Sequence, residues 1–343
     1  MGVKLGPIIR ELGIGQEIDP TYLEGKLIAI DALPTIYEML ATIRDRKGGY
    51  LHDSQGRITS HLVGLFNRTA RMLAVGIRPV YVFDGPAHPL KLRELEERKE
   101  RKEIALQKYV EALRRGDFES AKKYAKQAMS VTDELVASAK QLLECFGIPI
   151  VQAPHDGEAQ AAYLVIKGEC FAVASPDYDS FLFGASRVVR NLKMSPQRKE
   201  IPTLYELEEL LSKLNFTREQ LVDLAILLGT DYNPGGFEGI GPKTALELIK
   251  RYGSIEKLLE IRKIVWKYPV PLEEIKRIFL NPPVTDNYKL EFREPDIEGI
   301  KELLVEEYEF SKERVERELE DVIKRLEREK RGGVQASLDM FFG

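Results

Sequence analysis

Seven carboxylates carry most of the chemistry this sequence could perform: Asp31, Asp84, Asp156, Glu158, Asp177, Asp179 and Asp231. Asp31 and Asp84 close two short β-branched runs, KLIAID and VYVFD. Asp156-Gly-Glu158 and Asp177-Tyr-Asp179 are spaced i, i+2, so in extended or turn backbone both members of a pair can face one side. So many carboxylates at one crevice repel one another unless cations neutralise them. Hard oxygen donors suit Mg²⁺, with Mn²⁺ as a substitute. Two such ions ~3.5 to 4 Å apart activate a water and stabilise the leaving oxygen in phosphodiester hydrolysis. Each acid alone also has a plain structural reading. Asp179 could cap the following helix, and Asp231 could form a turn ahead of Asn233-Pro234. Position alone leaves those two open, whereas for Asp31 and Asp84, at the ends of apolar runs, the metal reading is favoured.

The elements that must position these acids are legible as alternating patterns. KLIAID, VYVFD, IPIVQ from Ile148 and CFAVASPD from Cys170 read as strands, each separated from the next by helical periodicity. That alternation implies an α/β fold: a mostly parallel sheet flanked by helices, with ligands bound at the carboxyl ends of the strands. Residues 1–85 and 140–260 are expected to build this core. Between them, residues 86–139 form a helical insertion broken at Gly116-Asp117, and Lys91 to Lys126 carries 12 basic and 8 acidic side chains. Residues 217–256 read as helix, glycine-rich connection and helix. Residues 261–332 make a C-terminal extension with an extended stretch, LEFREP, and a charged helix. Residues 333–343 follow Gly332-Gly333 as a flexible tail.

The composition excludes several classes. Hydrophobic residues make up 43% and charged residues 31% of 343, and 51 basic against 55 acidic side chains give a net charge of -4. Such a chain is neither disordered by composition nor membrane-embedded. No long apolar run or cleavable leader is present, so a soluble cytoplasmic protein is expected. Cys145 and Cys170 are too few for a disulfide framework and lack zinc spacing.

The segments MGVKLG, IAIDA, ITSHLVGLFNRT, GIRPVYVFDG, APHDGEAQAAYL, DYDSFLFG, RNL and GTDYNPGGFEGIGPKTAL, in this order, resemble the structure-specific 5′ nuclease family, most closely the archaeal flap endonucleases. The resemblance implies a PIN-like nuclease core, an inserted helical arch and a helix-two-turn-helix element. It assigns Asp31, Asp84, Asp156 and Glu158 to a first Mg²⁺ and Asp177, Asp179 and Asp231 to a second. One departure is Asp156, where the family usually has Glu; the shorter side chain suggests a water-mediated contact. Lys91 and Arg98 match a basic pair aimed at the scissile phosphate. Seven residues apart on a helix, they would share one face. Tyr37 matches a tyrosine that stacks on a base, Arg44 and Arg68 match basic residues near substrate, and Gly2 lies near the active site once Met1 is removed.

The loop GGFEGIGPKT is not a nucleotide P-loop, because Pro242 breaks the glycine-lysine register and no strand precedes it. Gly239, Gly241 and Lys243 instead suit a hairpin facing a DNA phosphate, and the resemblance adds a K⁺ held by backbone oxygens. Gln335, Leu338, Phe341 and Phe342 have the spacing of a peptide that binds the sliding clamp PCNA. The implied activity is a monomeric Mg²⁺-dependent 5′ flap endonuclease with 5′-3′ exonuclease action on nicked or gapped DNA, in Okazaki-fragment maturation and repair. Alternatives are a repair-bubble or exonuclease-type 5′ nuclease, a non-catalytic junction binder, and a small-domain ribonuclease.

Overall fold

The computed structural model describes residues 3–46, 48–128, 130–194 and 201–342. Among these residues seven strands form one sheet: β1 (Gln16–Glu17), β2 (Leu27–Asp31), β3 (Arg78–Phe83), β4 (Ile150–Gln152), β5 (Ala172–Ala174), β6 (Arg187–Arg190) and β7 (Thr203–Glu206). Their order is β1-β7-β6-β5-β2-β3-β4. The five strands β4, β3, β2, β5 and β6 run parallel, and β7 and β1 add an antiparallel edge. The chain steps outward from β2 to β3 and β4, then returns to the other side of β2 with β5. That reversal is the topological switch at which an α/β sheet opens a crevice. The strands β1, β6 and β7 are additions to the four expected from the sequence. They are short, and β1 pairs with β7, which is distant in sequence.

Among the described residues fourteen helices accompany the sheet: α1 (Gly6–Leu12), α2 (Ala32–Thr42), α3 (Ser60–Val75), α4 (Leu92–Arg114), α5 (Phe118–Gln127), α6 (Asp133–Cys145), α7 (Gly157–Ile166), α8 (Leu207–Leu214), α9 (Arg218–Leu228), α10 (Pro242–Tyr252), α11 (Ile255–Glu260), α12 (Leu272–Leu280), α13 (Ile297–Lys301) and α14 (Lys312–Phe342). Alternating strand residues split the core in two. Ala29, Val80, Val82 and Val173 face a layer that includes α1, α7, α9, α10 and α12. Ile28, Ile30, Tyr81 and Phe83 face a layer built on α2, α3, α6 and the first half of α14. Each fully buried aliphatic side chain contributes roughly 1.5 to 3 kcal/mol relative to exposure, so both faces hold the strand register firmly. No helix among the described residues is long and apolar enough to cross a membrane.

Several expected boundaries shift. α6 begins at Asp133 and buries Leu135, Ala139, Leu142 and Leu143, so the insertion returns to the core before residue 139. LEFREP forms no strand; its backbone is tied at Arg293 N–H to Gly147 O and at Asp296 N–H to Cys145 O. The C-terminal extension divides, with α12 on one sheet face and α13 and α14 on the other. α14 also continues through Gly332-Gly333 to Phe342, where the sequence suggests a flexible break. The side chains of Gln335, Leu338, Phe341 and Phe342 lie outside the described residues, as does Gly2.

Candidate active site

The parallel strands deliver the acids to one edge. Asp31 ends β2, Asp84 follows β3, Asp156 and Glu158 open α7 after β4, and Asp177 and Asp179 follow β5. Asp231 arrives from the loop after α9. Burial, then the charges of Asp84, Glu158 and Asp156, raise the Asp31 carboxyl well above its usual range. Burial and Asp179 do the same to Glu158. Burial and Asp156 push Asp84 up to about 6, and burial and Asp177 push Asp179 up to about 7. These four form the floor of a basin. Asp156 and Asp231 stand at its rim, with side chains 18% and 31% exposed.

Fixed donors hold the acids in place. Gly157 N–H donates to Asp84 Oδ1. A Cβ at Gly157 would stand 2.7 Å from that oxygen, so the approach requires glycine here. Glu158 Oε1 accepts from Ser180 N–H at 2.9 Å and Ser180 Oγ at 2.6 Å. Val3 N–H donates to both Asp179 oxygens, at 2.8 and 3.1 Å. Asp179 is therefore held by the N-terminal segment, and the cap position of the turn it opens belongs to Tyr178. The tight turn after α9 is tied by Asn233, whose Oδ1 accepts from Thr230 N–H and Oγ1, which leaves the turn-former reading of Asp231 unneeded. Asp156 does serve as the α7 cap, its Oδ1 accepting from Glu158 N–H at 3.2 Å.

Lys91 enters the same basin. Its Nζ lies 2.6 Å from Asp156 Oδ2 and 3.7 Å from Asp231 Oδ2. Burial opposes its charge, but Asp156, Tyr232 and Asp231 together raise its pKa well above the ordinary lysine value. The residue ends the 3₁₀ turn Pro89–Lys91, ahead of α4, so it does not share a continuous helix with Arg98 as expected. His88 makes that turn: its carbonyl accepts from Lys91 N–H and its Nδ1 from Leu90 N–H. The Arg98 side chain is outside the described residues.

The basin fits hard cations. Asp31 Oδ1 is buried with no hydrogen-bond partner, a costly state that a cation would relieve. Among the described residues, no group of three or more His, Cys, Asp and Glu closes into a ready-made metal cage. An open basin of carboxylates suits ions that keep part of their water shell, as Mg²⁺ does.

The other expected residues fall into two groups away from the floor. Tyr37 on α2 is half-buried, and Lys102 Nζ of α4 donates to its hydroxyl at 3.1 Å. Arg68 pairs with Glu38 at 2.7 Å, and the Arg44 guanidinium lies 4.1 Å from the Tyr50 ring centroid. On the far side of the sheet, Gly239, Gly241 and Lys243 are exposed in the α9–α10 connection, and a Cβ at either glycine would meet nothing within 4 Å. The sequence reading missed Tyr232, Ser180, Gly157 and Val3 as parts of the site. Tyr232 and Gly157 lie within the motifs themselves, next to an acid, which was the available signal.

Comparison with known proteins agrees with this geometry. The XPG N-terminal domain matches residues 1–105 and the XPG I-region matches residues 147–231. Flap endonuclease 1 of Pyrococcus furiosus is 51% identical over 351 residues, covering 100% of this chain and 99% of that one. Flap endonuclease 1 of Thermococcus onnurineus is 49% identical with the same coverage. The solved structure of flap endonuclease-1 from Methanococcus jannaschii superposes with a TM-score of 0.75 at 43% identity, covering 96% of this chain and all of that one. The catalytic core of Rad2 in complex with DNA substrate matches with a TM-score of 0.73 at 25% identity, covering 94% of this chain and all of that one. Its sheet and flanking helices are the PIN-type nuclease fold, and the chain belongs to the flap endonuclease 1 family of structure-specific nucleases.

Proposed function

We propose that this chain cleaves the phosphodiester at the base of 5′ flaps in branched DNA, and trims 5′ ends at nicks and gaps, in Okazaki-fragment maturation and repair. The observation that carries the reading is the convergence of seven acids from four strand ends and one loop on a basin with a partnerless Asp31 oxygen. Asp31, Asp84, Asp156 and Glu158 would hold one Mg²⁺, and Asp177, Asp179 and Asp231 a second, with Mn²⁺ able to substitute. When bound, such ions lower the pKa of water and stabilise the charge on a leaving oxygen. The chain's own residues do the rest. Gly157, Ser180 and Val3 fix the acids, so little reorganisation accompanies the reaction. Lys91, with Arg98, supplies positive charge to the scissile phosphate. Tyr37 stacks on a base near the cut, with Arg44 and Arg68 beside it.

Duplex DNA is gripped through its backbone by Gly239, Gly241 and Lys243, with a K⁺ held at that connection. The 5′ single strand passes under the arch of α4 and α5, whose basic excess draws phosphates. Gln335, Leu338, Phe341 and Phe342 tether the enzyme to the PCNA clamp. Matched double-flap, single-flap, nicked and bubble DNAs, incubated with and without Mg²⁺, test the reading. Mg²⁺-dependent incision at the flap base, ahead of bubble cutting, is expected; equal cleavage of all four would overturn it.

A further inference from the structure

Lys91 has partners of two kinds, the carboxylates of Asp156 and Asp231 and an aromatic ring. Its Nζ is 2.6 Å from Asp156 Oδ2 and also lies over the Tyr232 ring, 4.9 Å from the centroid. The ring is 5% exposed and held on every side. Its edge contacts are with His88, centroids 6.1 Å apart, and Phe279, 5.5 Å apart. Its hydroxyl sits 3.4 Å from Asp156 Oδ2, and its backbone N–H donates to Thr230 Oγ1 at 3.1 Å. Tyr232 is thus a rigid surface beside a flexible four-carbon stem.

Asp156 is wanted twice. The reading above gives it to a divalent cation, whereas in this structure it pairs with the Lys91 ammonium. A divalent ion drawn to Asp156 repels the ammonium that shares its carboxylate. When a divalent ion takes Asp156, an unsupported lysine would swing to water and carry its charge away from the phosphate. We propose that Tyr232 is the positioning residue for Lys91: its ring face is a second seat that the ammonium keeps when a cation takes Asp156. An aromatic face attracts an ammonium without competing for the carboxylate. The inference rests on the metal-dependent nuclease reading of this basin and adds the device that reconciles its two kinds of cation.

The test uses the full-length chain stripped of metal, with Ca²⁺ binding followed by calorimetry and Mg²⁺-dependent single-turnover cleavage of a double-flap DNA. Lys91→Met is expected to tighten Ca²⁺ binding by about tenfold, since Asp156 loses its competing partner. Tyr232→Leu is expected to weaken it by about fivefold, because the ammonium falls back on Asp156. The Mg²⁺ concentration at half-maximal rate should rise by a similar factor. Tyr232→Phe keeps the ring and should recover both losses. In the Lys91→Met background, Tyr232→Leu should have no further effect on Ca²⁺ binding, a non-additivity that a merely structural tyrosine would not show. Should Tyr232→Leu fail to fold, the Lys91→Met and Tyr232→Phe arms still decide. Unchanged Ca²⁺ affinity in Lys91→Met, or a phenylalanine variant as defective as expected for leucine, overturns the proposal. A wild-type chain that neither binds Ca²⁺ nor cuts with Mg²⁺ overturns the parent reading as well, whereas binding and cutting with indifferent variants overturns this inference alone.

Discussion

The acidic basin and the arch are both dense in charge, yet they are built on opposite principles. In the basin the charges are desolvated and pinned by backbone donors, Gly157 to Asp84 and Val3 to Asp179. In the arch, every described charged side chain except Lys102 is exposed. Among the described residues 92–127, only Ala105 and Ala112 are buried. Its ion pair Glu111–Arg115 is exposed at both ends and adds at most a few tenths of a kcal/mol. The basin holds unfavourable electrostatics in a hydrogen-bonded frame, and the described side chains of the arch hold almost none.

That contrast can be broken most sharply at Asp31. Asp31→Asn should cut single-turnover cleavage by roughly 10³-fold, on the scale of losing a preorganised charge-stabilising group. It should also raise the thermal midpoint of the metal-free protein by a few degrees, because one buried like charge disappears. A normal rate, or a lower midpoint, would contradict the account of the basin. Next comes the same glycine-to-alanine change in each region. Gly157→Ala forces a methyl against Asp84 Oδ1 and should slow cleavage about 10²-fold, whereas Gly116→Ala, at φ 70° with open space around it, should leave the chemistry within about twofold. Equal effects would erase the distinction.

Acid acts on the core in two opposed senses: the basin's acids, whose folded pKa values are raised, gain stability as pH falls, and one buried histidine loses it. His61 on α3 is fully buried, with Nε2 bonded to Ser138 Oγ of α6 at 2.8 Å, and burial lowers its pKa from 6.5 to about 4. The unfolded chain takes up a proton below 6.5, while folded His61 resists until about 4. Stability is therefore lost as pH falls through that window, by roughly 2 kcal/mol between about pH 7 and pH 5. Urea titrations of wild type and His61→Gln should differ by that pH-dependent amount; parallel curves would refute it. The smallest effect is expected at the arch tip. Asp117 caps α5 by accepting from Ser120 N–H at 3.0 Å, and Asp117→Ala should cost about 1 kcal/mol. Hydrogen exchange should quicken in α5 with the global unfolding midpoint unchanged.

Much of this was legible in the sequence because the acids sit where β-branched runs stop. A strand that ends on Asp31, or one residue before Asp84, announces both element and site. The supports were harder to read. Val3 and Asp179 are 176 residues apart, and Lys91 and Asp156 are 65 apart, so no local pattern links them. β1, β6 and β7 escaped because each has two apolar residues at most, bounded by polar ones. LEFREP misled in the other direction: its residues favour a strand, but isolated backbone bonds to the α6 end leave it irregular. The Lys91–Arg98 spacing was read as one helix face because nothing in the composition marks His88 as the maker of a turn.

The arch leaves the sheet after β3 and comes back into β4, the outermost strand on that side. Its two feet are therefore fixed, one by β3 and the other by α6 packed in the core, and what lies between them is a closed loop in the polymer sense. Lengthening such a loop costs little: each doubling adds only about 0.6 kcal/mol of closure entropy. The opening could therefore be widened or narrowed by insertion without disturbing the order of the central strands. The aperture is a nearly free variable, while the distances among the acids are not.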